Sequence, residues 1–590
     1  FSEFELGFSA DTARQETDRC LSCGCQDVFT CRLREYATRL QIKTERLGLG
    51  KKVYPLACEH PYIIRDANKC VLCGNCVRVC QEVQGIGALG FVHRGSETVV
   101  LPALKSPLTE TLCNSCGQCI DICPTGAISR RSPLAKPGPW QVAKVESVCP
   151  HCSVGCQIEL NLAGEQIVGV TSTVDTRTVN GGSLCTKGAF DYAWVQGPQR
   201  LREPLVIQDK RQLVVGWDYA LAEAAKVLGE IRDSKGLDST AVLVSPRLSN
   251  EEILLAAKVG RMALETKNIF STVTAPFNPK PATFTDLNKA DLILVIGQDV
   301  AAHYPIVGHK LKQAAAHGSK LLLIQPKVTG LDSIGHLSLR IPRRRLAALL
   351  EAFLAYVLQY NLALGQGDSD TRPIEALARE INGDFYQMAA SFWVKPAKII
   401  RLLHSYLQAK NPVILLDGIG LTGVEWELTR RFATITGNYG RPGSGIITLF
   451  PDGNQQGLST LGVRADDREY AKLLADLASR KVTGLLILSD GGPLDQRLFA
   501  AGAKAVLITP SSTQFTSTQV ILPGTTFAET EGSFINCEGR LQHLSPALKP
   551  WGGRANWEIL LALAAAMGCQ LGYQKVSQIH REVINKLLEA

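Results

Sequence analysis

From about residue 206 the chain alternates two kinds of hydrophobic pattern. Short apolar runs rich in β-branched residues occur at 241–245, 292–296, 321–324, 413–416, 485–488 and 505–509. Continuous apolar runs of that length predict strands buried on both faces. Between them lie longer stretches with helical spacing, such as 217–231. The alternation predicts βαβ units and parallel sheets, an α/β fold of the doubly wound kind. Several runs end in glycine-containing turns, at 296–299, 417–420 and 489–492. Ligands of doubly wound sheets bind at such strand ends, although the same turns close any βα unit. None is a GxGxxG fingerprint, and no short-period repeat is evident. The longest apolar stretch, 347–358, contains Glu351. It falls short of the ~20 residues of a membrane span and predicts an amphipathic helix.

The composition agrees with a globular protein, at 45% hydrophobic and 20% charged residues, and 590 residues suggest about four domains. The cysteines change the picture. Seventeen of the 19 fall in the first 185 residues, leaving only Cys537 and Cys569 in the other 405. A secreted disulfide scaffold is short and evenly cysteine-dense. Repeated C-x2-C units confined to one end point instead to metal clusters in a reducing, cytoplasmic compartment. Formal net charge is +8, from 63 basic and 55 acidic residues. Four [4Fe-4S] clusters would offset roughly that much, so the basic balance is poor evidence for nucleic acid.

Four segments are expected. Residues 1–60 hold a compact cysteine group, 61–140 hold two cysteine runs and end in the linker-like SPLAKPGPW, 141–205 hold a third cysteine pattern, and 206–590 form the α/β remainder. The chain begins at Phe1 without a basic-then-apolar leader and is expected to continue a longer polypeptide.

The strongest motif is the pair Cys70-x2-Cys73-x2-Cys76-x3-Cys80 and Cys113-x2-Cys116-x2-Cys119-x3-Cys123-Pro124. This is the two-cluster ferredoxin spacing, in which the fourth cysteine of each run ligates the other cluster. Cys70, Cys73, Cys76 and Cys123 are assigned to one [4Fe-4S] cluster, and Cys113, Cys116, Cys119 and Cys80 to its partner. Zinc wants paired C-x2-C units around one tetrahedral ion, which three evenly spaced cysteines suit less well. A further cluster is expected on Cys149, Cys152, Cys156 and the distant Cys185, with Lys187 beside it. In Cys20-x2-Cys23-x-Cys25-x5-Cys31 we assign those four as ligands. Cys58 remains as an alternate ligand or free thiol, and His60 has a weaker claim as a surface histidine. Cys537 and Cys569 lack partners and read as small buried hydrophobes. The arginines 340, 343, 344 and 345 read as a docking or solvated face.

The segment HPYIIRDANKCVLCGNCVRVCQEVQG (60–85) resembles the ferredoxin-type segment of formate dehydrogenase alpha subunits and of the complex I large iron–sulfur subunit. VCPHCSVGC (148–156) with LCTKGAF (184–190) resembles the [4Fe-4S] domain of molybdopterin oxidoreductases, and LPGTTFAETEGSFINCEGRLQ (522–542) a late motif of that superfamily. ETDRCLSCGC (16–25) looks like the cysteine tail behind flavoproteins related to the glutamate synthase small subunit. The resemblance implies ferredoxin-like, α+β cluster segments followed by molybdopterin-oxidoreductase-like α/β domains.

Two departures qualify it. Catalytic formate dehydrogenases place a Cys or selenocysteine followed by His where this chain reads FSTVTAPFNPKP (270–281), which has neither. The chain also ends soon after NWEILLALAAAMG, where the family continues into a domain that helps bind the pterin dinucleotide. Both imply a pterin-free scaffold, as in complex I. The extra cysteine motifs of [FeFe]-hydrogenases are missing, as are a plant-type [2Fe-2S] domain and a His-ligated cluster motif ahead of the ferredoxin segment. A flavoprotein-like tail in that place resembles an electron-bifurcating transhydrogenase of the Stn type. The resemblance thus implies an electron-transfer subunit with four [4Fe-4S] clusters and no substrate chemistry of its own. Its implied partners are an NADP-binding flavoprotein domain, a complex I-like NADH-binding flavoprotein subunit, a small iron–sulfur subunit and ferredoxin, with FAD or FMN and NAD(P) on those partners. The alternative is the alpha subunit of an NAD(P)-linked formate dehydrogenase.

Overall fold

The computed structural model describes residues 7–18, 25, 31–43, 53–131, 142–173, 177–209, 211–273, 276–362, 383–463, 465–500, 502–511 and 518–589. The chain divides into two compact units, Phe1–Val142 and Ala143–Ala590. Among the described residues no helix is long and apolar enough to cross a membrane.

In the first unit, strand β1 (Ile63–Arg65) is followed by the hairpin β2 (Leu89–Val92) and β3 (Val99–Pro102), and then by β4 (Ile128–Arg130). β1 and β4 pair antiparallel, with Ile63 opposite Arg130. Among the described residues its apolar cluster is small, made of Ile63, Val77, Ala88, Leu89, Leu108 and Ile128 together with the thiols Cys76 and Cys119. So small an apolar core leaves a domain dependent on cross-links or metals. Cysteine is here part of the packing.

The second unit begins with an antiparallel meander, β5 (Ala143–Val148), β6 (Gln157–Ala163) and β7 (Gln166–Thr171). The following strands are β8 (Leu205–Gln208), β9 (Arg211–Val214), β10 (Thr240–Val244), β11 (Ile269–Ser271), β12 (Leu292–Ile296), β13 (Lys320–Gln325) and β14 (Leu337–Arg340). Then come β15 (Pro412–Asp417), β16 (Gly445–Leu449), β17 (Gly484–Leu488), β18 (Lys504–Thr509), β19 (Thr518–Pro523) and the hairpin β20 (Gly532–Ile535) and β21 (Leu541–Leu544).

Two larger sheets result. One has the order β14-β13-β12-β15-β16 and is parallel throughout. The other runs β11-β10-β17-β18-β19-β8-β9 and is parallel except for the β8–β9 edge. Each of the six apolar runs forms a strand within a residue or so of its expected bounds. β12, β15 and β17 are buried at every position because helices cover both faces. The expected amphipathic helix is Leu346–Gln359, but nine of its residues are buried, including the whole run from Ala352 to Val357. It is an interior helix, and half-buried Glu351 marks its wet side.

Candidate metal centres

The two cysteine runs of the first unit fold alike. Leu72 and Ser115 sit in the left-handed region at φ 56° each, and Gly74 and Gly117 follow at φ 76° and 77°. Each loop therefore turns sharply on both sides of its second cysteine. Glycine serves the later position, since a Cβ on Gly74 would lie 3.0 Å from the Phe91 ring. The Leu72 N–H donates to Cys70 Sγ and the Ser115 N–H to Cys113 Sγ, both at 3.4 Å. A short helix closes each loop, Asn75–Arg78 and Gln118–Asp121. The first continues into a π turn, Val79–Val83, which carries Cys80. Cys80 Sγ accepts from the Ala88 N–H at 3.3 Å.

These turns sort the thiols across the two runs. Cys70, Cys73, Cys76 and Cys123 line one cavity of about 480 Å3. Cys80, Cys113, Cys116 and Cys119 line another of about 20 Å3. The second holds little more than a water, so a cubane there would part its lining. Among the described residues no three His, Cys, Asp or Glu side chains converge as one metal ion requires. Burial pushes the Cys76 thiol up to about 11 and Cys116 to about 12, with neighbouring thiols adding to the effect. Burial also raises the buried Cys119 thiol well above its ordinary value, with neighbouring thiols adding to it. Burial acts the same way on Cys123, but N–H groups of Ile128, Thr125 and Ala127 and the Thr125 hydroxyl outweigh it and lower its pKa. Thiols this dry ionise when iron supplies compensating charge. Four thiols from two runs, with N–H donors on sulfur, form a donor set that fits a [4Fe-4S] cluster.

The third group stands at the strand ends of the second unit. Cys149, Cys152 and Cys156 occupy the loop between β5 and β6, closed by the Cys149 N–H on the Cys156 carbonyl at 2.9 Å. Cys185 caps the helix Thr186–Phe190. A Cβ on Gly188 would stand 3.7 Å from Cys149 Sγ, so the two segments meet at that thiol. Burial raises Cys149 and Cys156 strongly and takes Cys152 to about 12, with Cys185 adding to all three. The loop is gripped from both sides. Ser153 exchanges two hydrogen bonds with Phe450, just beyond β16, at 2.9 and 2.8 Å. From the other side come residues of the β20–β21 hairpin. Asn536 Nδ2 donates to the Val154 carbonyl at 3.1 Å, Gln542 Nε2 to Gly155 at 2.8 Å, and the Cys537 N–H to Ser153 at 2.8 Å.

Charges surround this group. Arg247, just beyond β10, bonds Asp452 at 2.7 Å and Asp490 at 3.4 Å. Asp490 also accepts from Ser245 at 2.7 Å. Lys187 is exposed, and its charge acts on Cys152, His151 and Asp452. Of the glycine turns, 296–299 and 417–420 bring Asp417 against His303 at 2.9 Å, and 489–492 supplies Asp490.

In the first cysteine group, Cys20 and Cys23 lie outside the described residues. Cys31 caps the helix Arg32–Arg39, its Sγ accepting from the Arg34 N–H at 3.4 Å. Cys25 is half-buried and Cys58 exposed. His60 is a correction to the sequence reading. It is 3% exposed rather than a surface residue. Its Nδ1 accepts from the Tyr62 and Ile63 N–H groups at 3.1 Å each, and its Nε2 meets the Ser115 hydroxyl at 3.2 Å. Both ring nitrogens are thus engaged, Nδ1 by the following backbone and Nε2 by the Cys113 loop. Cys569 is half-buried against apolar core, whereas buried Cys537 lies within electrostatic reach of Cys152. Of the arginine cluster, Arg340 pairs with Asp332 and Arg343 with Glu425, while Arg344 and Arg345 are exposed.

The 522–542 motif had no assigned role in the sequence, and the structure gives its last residues one as the grip on the third loop. Asn536 and Gln542, the two carboxamide side chains of the motif, were the available signal.

Comparison with known proteins agrees with this layout. Residues 60–129 match the ferredoxin-like domain of NADH-quinone oxidoreductase subunit 3, and 142–197 match the molybdopterin oxidoreductase Fe4S4 domain. Residues 200–364 and 503–566 match molybdopterin oxidoreductase. The chain is 26% identical over 577 residues to the NADPH-Fe(3+) oxidoreductase subunit alpha of Geobacter sulfurreducens, covering 88% of this chain and 67% of that one. It is 24% identical over 629 residues to a Staphylococcus aureus protein provisionally named a formate dehydrogenase, covering 89% and 63%. The chain thus spans about two thirds of the length of these relatives. Among solved structures, acetylene hydratase from Pelobacter acetylenicus aligns with a TM-score of 0.55 at 15% identity, over 72% of this chain and 69% of that one, a likeness of fold.

Proposed function

From the premise that this chain carries molybdopterin oxidoreductase domains behind an Fe4S4 domain and a ferredoxin-like domain of the NADH-quinone oxidoreductase subunit 3 type, we propose that it is the electron-carrying iron–sulfur subunit of a multisubunit NAD(P)H oxidoreductase. The finer reading is a flavin-based, electron-bifurcating transhydrogenase. The chain would hold four [4Fe-4S] clusters, on Cys20, Cys23, Cys25 and Cys31, on Cys70, Cys73, Cys76 and Cys123, on Cys80, Cys113, Cys116 and Cys119, and on Cys149, Cys152, Cys156 and Cys185, and these would supply one-electron transfer between flavins on partner domains. The chemistry on NAD(P)H belongs to the flavins. The observation that carries the reading is the sorting of twelve described thiols into three sets of four, each drawn from separated segments. The relative named for NADPH and iron(III) supports a nicotinamide donor.

A pterin-free interior is part of the same reading. The stretch 270–281 supplies no thiolate, selenolate or imidazole for molybdenum or tungsten. Its Asn278 is tied instead to the Ile446 carbonyl at 3.0 Å, to the Tyr439 hydroxyl at 3.2 Å and to Gln456. Arg247, at the strand ends, is already engaged by two aspartates.

The test is elemental analysis of the anaerobically purified complex, followed by NAD(P)H-driven ferredoxin reduction. We expect about 16 iron per chain, no molybdenum or tungsten, and ferredoxin reduction that requires the flavoprotein partners. Stoichiometric molybdenum or tungsten with formate-dependent dye reduction would overturn the scaffold reading in favour of a formate dehydrogenase.

A further inference from the structure

The Cys149–Cys185 site meets positive charge from three directions. Two have been described, exposed Lys187 and Arg247 with its two aspartates. The third comes from the helix Pro305–Ala316, which carries no cluster motif. Lys310 on that helix is half-buried, with Nζ 5.2 Å from the centre of the Phe284 ring. Its charge acts on Cys156, Cys537 and Glu538, and desolvation by burial depresses its pKa. Phe284 is bound to the same spot, since its N–H donates to Glu538 Oε1 at 2.5 Å. The Glu538 side chain is 3% exposed and lies in the turn that grips the third loop. Residues of the Lys310 helix, Ile306, Val307 and Leu311, share one apolar core with Cys149 and Cys156. The surroundings are therefore dry, and charges act there with little screening.

We propose that Lys310 is a potential-setting residue for the cluster held by Cys149, Cys152, Cys156 and Cys185, with Glu538 as its opposing charge. The inference rests on the reading that those four thiols bind a [4Fe-4S] cluster. In the step concerned, one electron moves from a reduced flavin or neighbouring cluster onto this cluster, whose net charge becomes more negative by one. No bond breaks and no proton is required. A fixed positive charge stabilises the reduced form more than the oxidised form, and so raises the potential. A fixed negative charge does the reverse.

The experiment is a potentiometric EPR titration of the full complex carrying Lys310→Met, Lys310→Arg, Glu538→Gln or Cys185→Ser. In Lys310→Met the reduction equilibrium of one signal should fall about tenfold, which is about 59 mV for a one-electron couple. Lys310→Arg should restore it, Glu538→Gln should move it the other way, and the remaining signals should not shift. The moving signal must be the one that Cys185→Ser abolishes. If Cys185→Ser abolishes no signal, the ligand reading itself falls. If it does abolish one, and that signal is unshifted in Lys310→Met or moves in the same direction in Lys310→Met and Glu538→Gln, the role of Lys310 is overturned. Should Lys310→Met lose the cluster, Lys310→Arg and Glu538→Gln decide, and a Glu538→Gln potential that fails to rise overturns the proposal.

Discussion

Replacing Asn536 by alanine tests whether the β20–β21 hairpin builds the third site. The residue is fully buried. Its Nδ2 donates to the Val154 carbonyl at 3.1 Å, and its Oδ1 accepts from the N–H groups of Glu538 and Arg540 at 3.1 and 3.0 Å. Truncation strands one buried carbonyl inside the thiol loop, and an unsatisfied buried group costs roughly 1–3 kcal/mol. The two turn amides, of half-buried Glu538 and exposed Arg540, add less, because the turn itself is open to water at Gly539 and Arg540. The expected loss is therefore about 2–4 kcal/mol in the second unit. Gln542→Ala provides the scale. It removes one bond, to Gly155 at 2.8 Å, from a half-buried side chain, and should cost about 1 kcal/mol. Iron analysis and EPR spin quantitation on the anaerobic protein are the assay. Asn536→Ala should drop from about 16 to about 12 iron per chain, with the ferredoxin-pair spins unchanged. Full occupancy of the third signal in Asn536→Ala, or loss of the ferredoxin-pair signals instead, would refute the grip.

Three other outcomes are expected. Cys80→Ser should remove the EPR signal of the cluster otherwise held by Cys113, Cys116 and Cys119, and leave the Cys149–Cys185 signal in place. Arg200 and Glu529 have side chains only 1% exposed and bond at 2.6 Å, so Glu529→Gln should cost about 3–5 kcal/mol by leaving a buried guanidinium without its partner charge, read as a fall in Tm. His309 is 7% exposed, its Nδ1 has no hydrogen-bond partner, and burial lowers its pKa to about 4. The unfolded chain, with a histidine near 6.5, therefore binds the extra proton between those values, and stability falls as pH drops through that window. From pH 7 to 5 the loss is about 2 kcal/mol, and His309→Leu should flatten the Tm profile there. An unchanged slope would count against the buried neutral imidazole.

The strands were legible because burial on both faces demands unbroken apolar residues, and β12, β15 and β17 offer little else. β11 and β14 escaped notice because three or four residues carry too little pattern. The helix Leu346–Gln359 was placed correctly but taken as amphipathic, since one glutamate cannot reveal that neighbouring elements cover nearly every face. The expected crossing of Cys80 and Cys123 between thiol sets rested on the two-cluster ferredoxin spacing, and the two cavities are lined by the same groupings. His60 shows the opposite limit. Nothing local distinguishes a surface histidine from one clamped by Ser115, 55 residues away. Lys310 was invisible for the same reason, as its neighbours Phe284, Cys156 and Glu538 come from three distant segments.

The grip on the third loop also sets an order of maturation. Both ferredoxin-type thiol sets are complete once the chain has been synthesised as far as Cys123. The third set has all four thiols at Cys185, but its loop is held by Phe450, Asn536 and Gln542. During synthesis at about 5–20 residues per second, those holding residues reach the folding domain tens of seconds after the thiols do. Throughout that interval the four cysteines are exposed to oxidants and adventitious metals without the structure that selects a cubane. The third thiol set is therefore expected to take up its cluster only after Gln542 has emerged from the ribosome, later than the two ferredoxin-type sets.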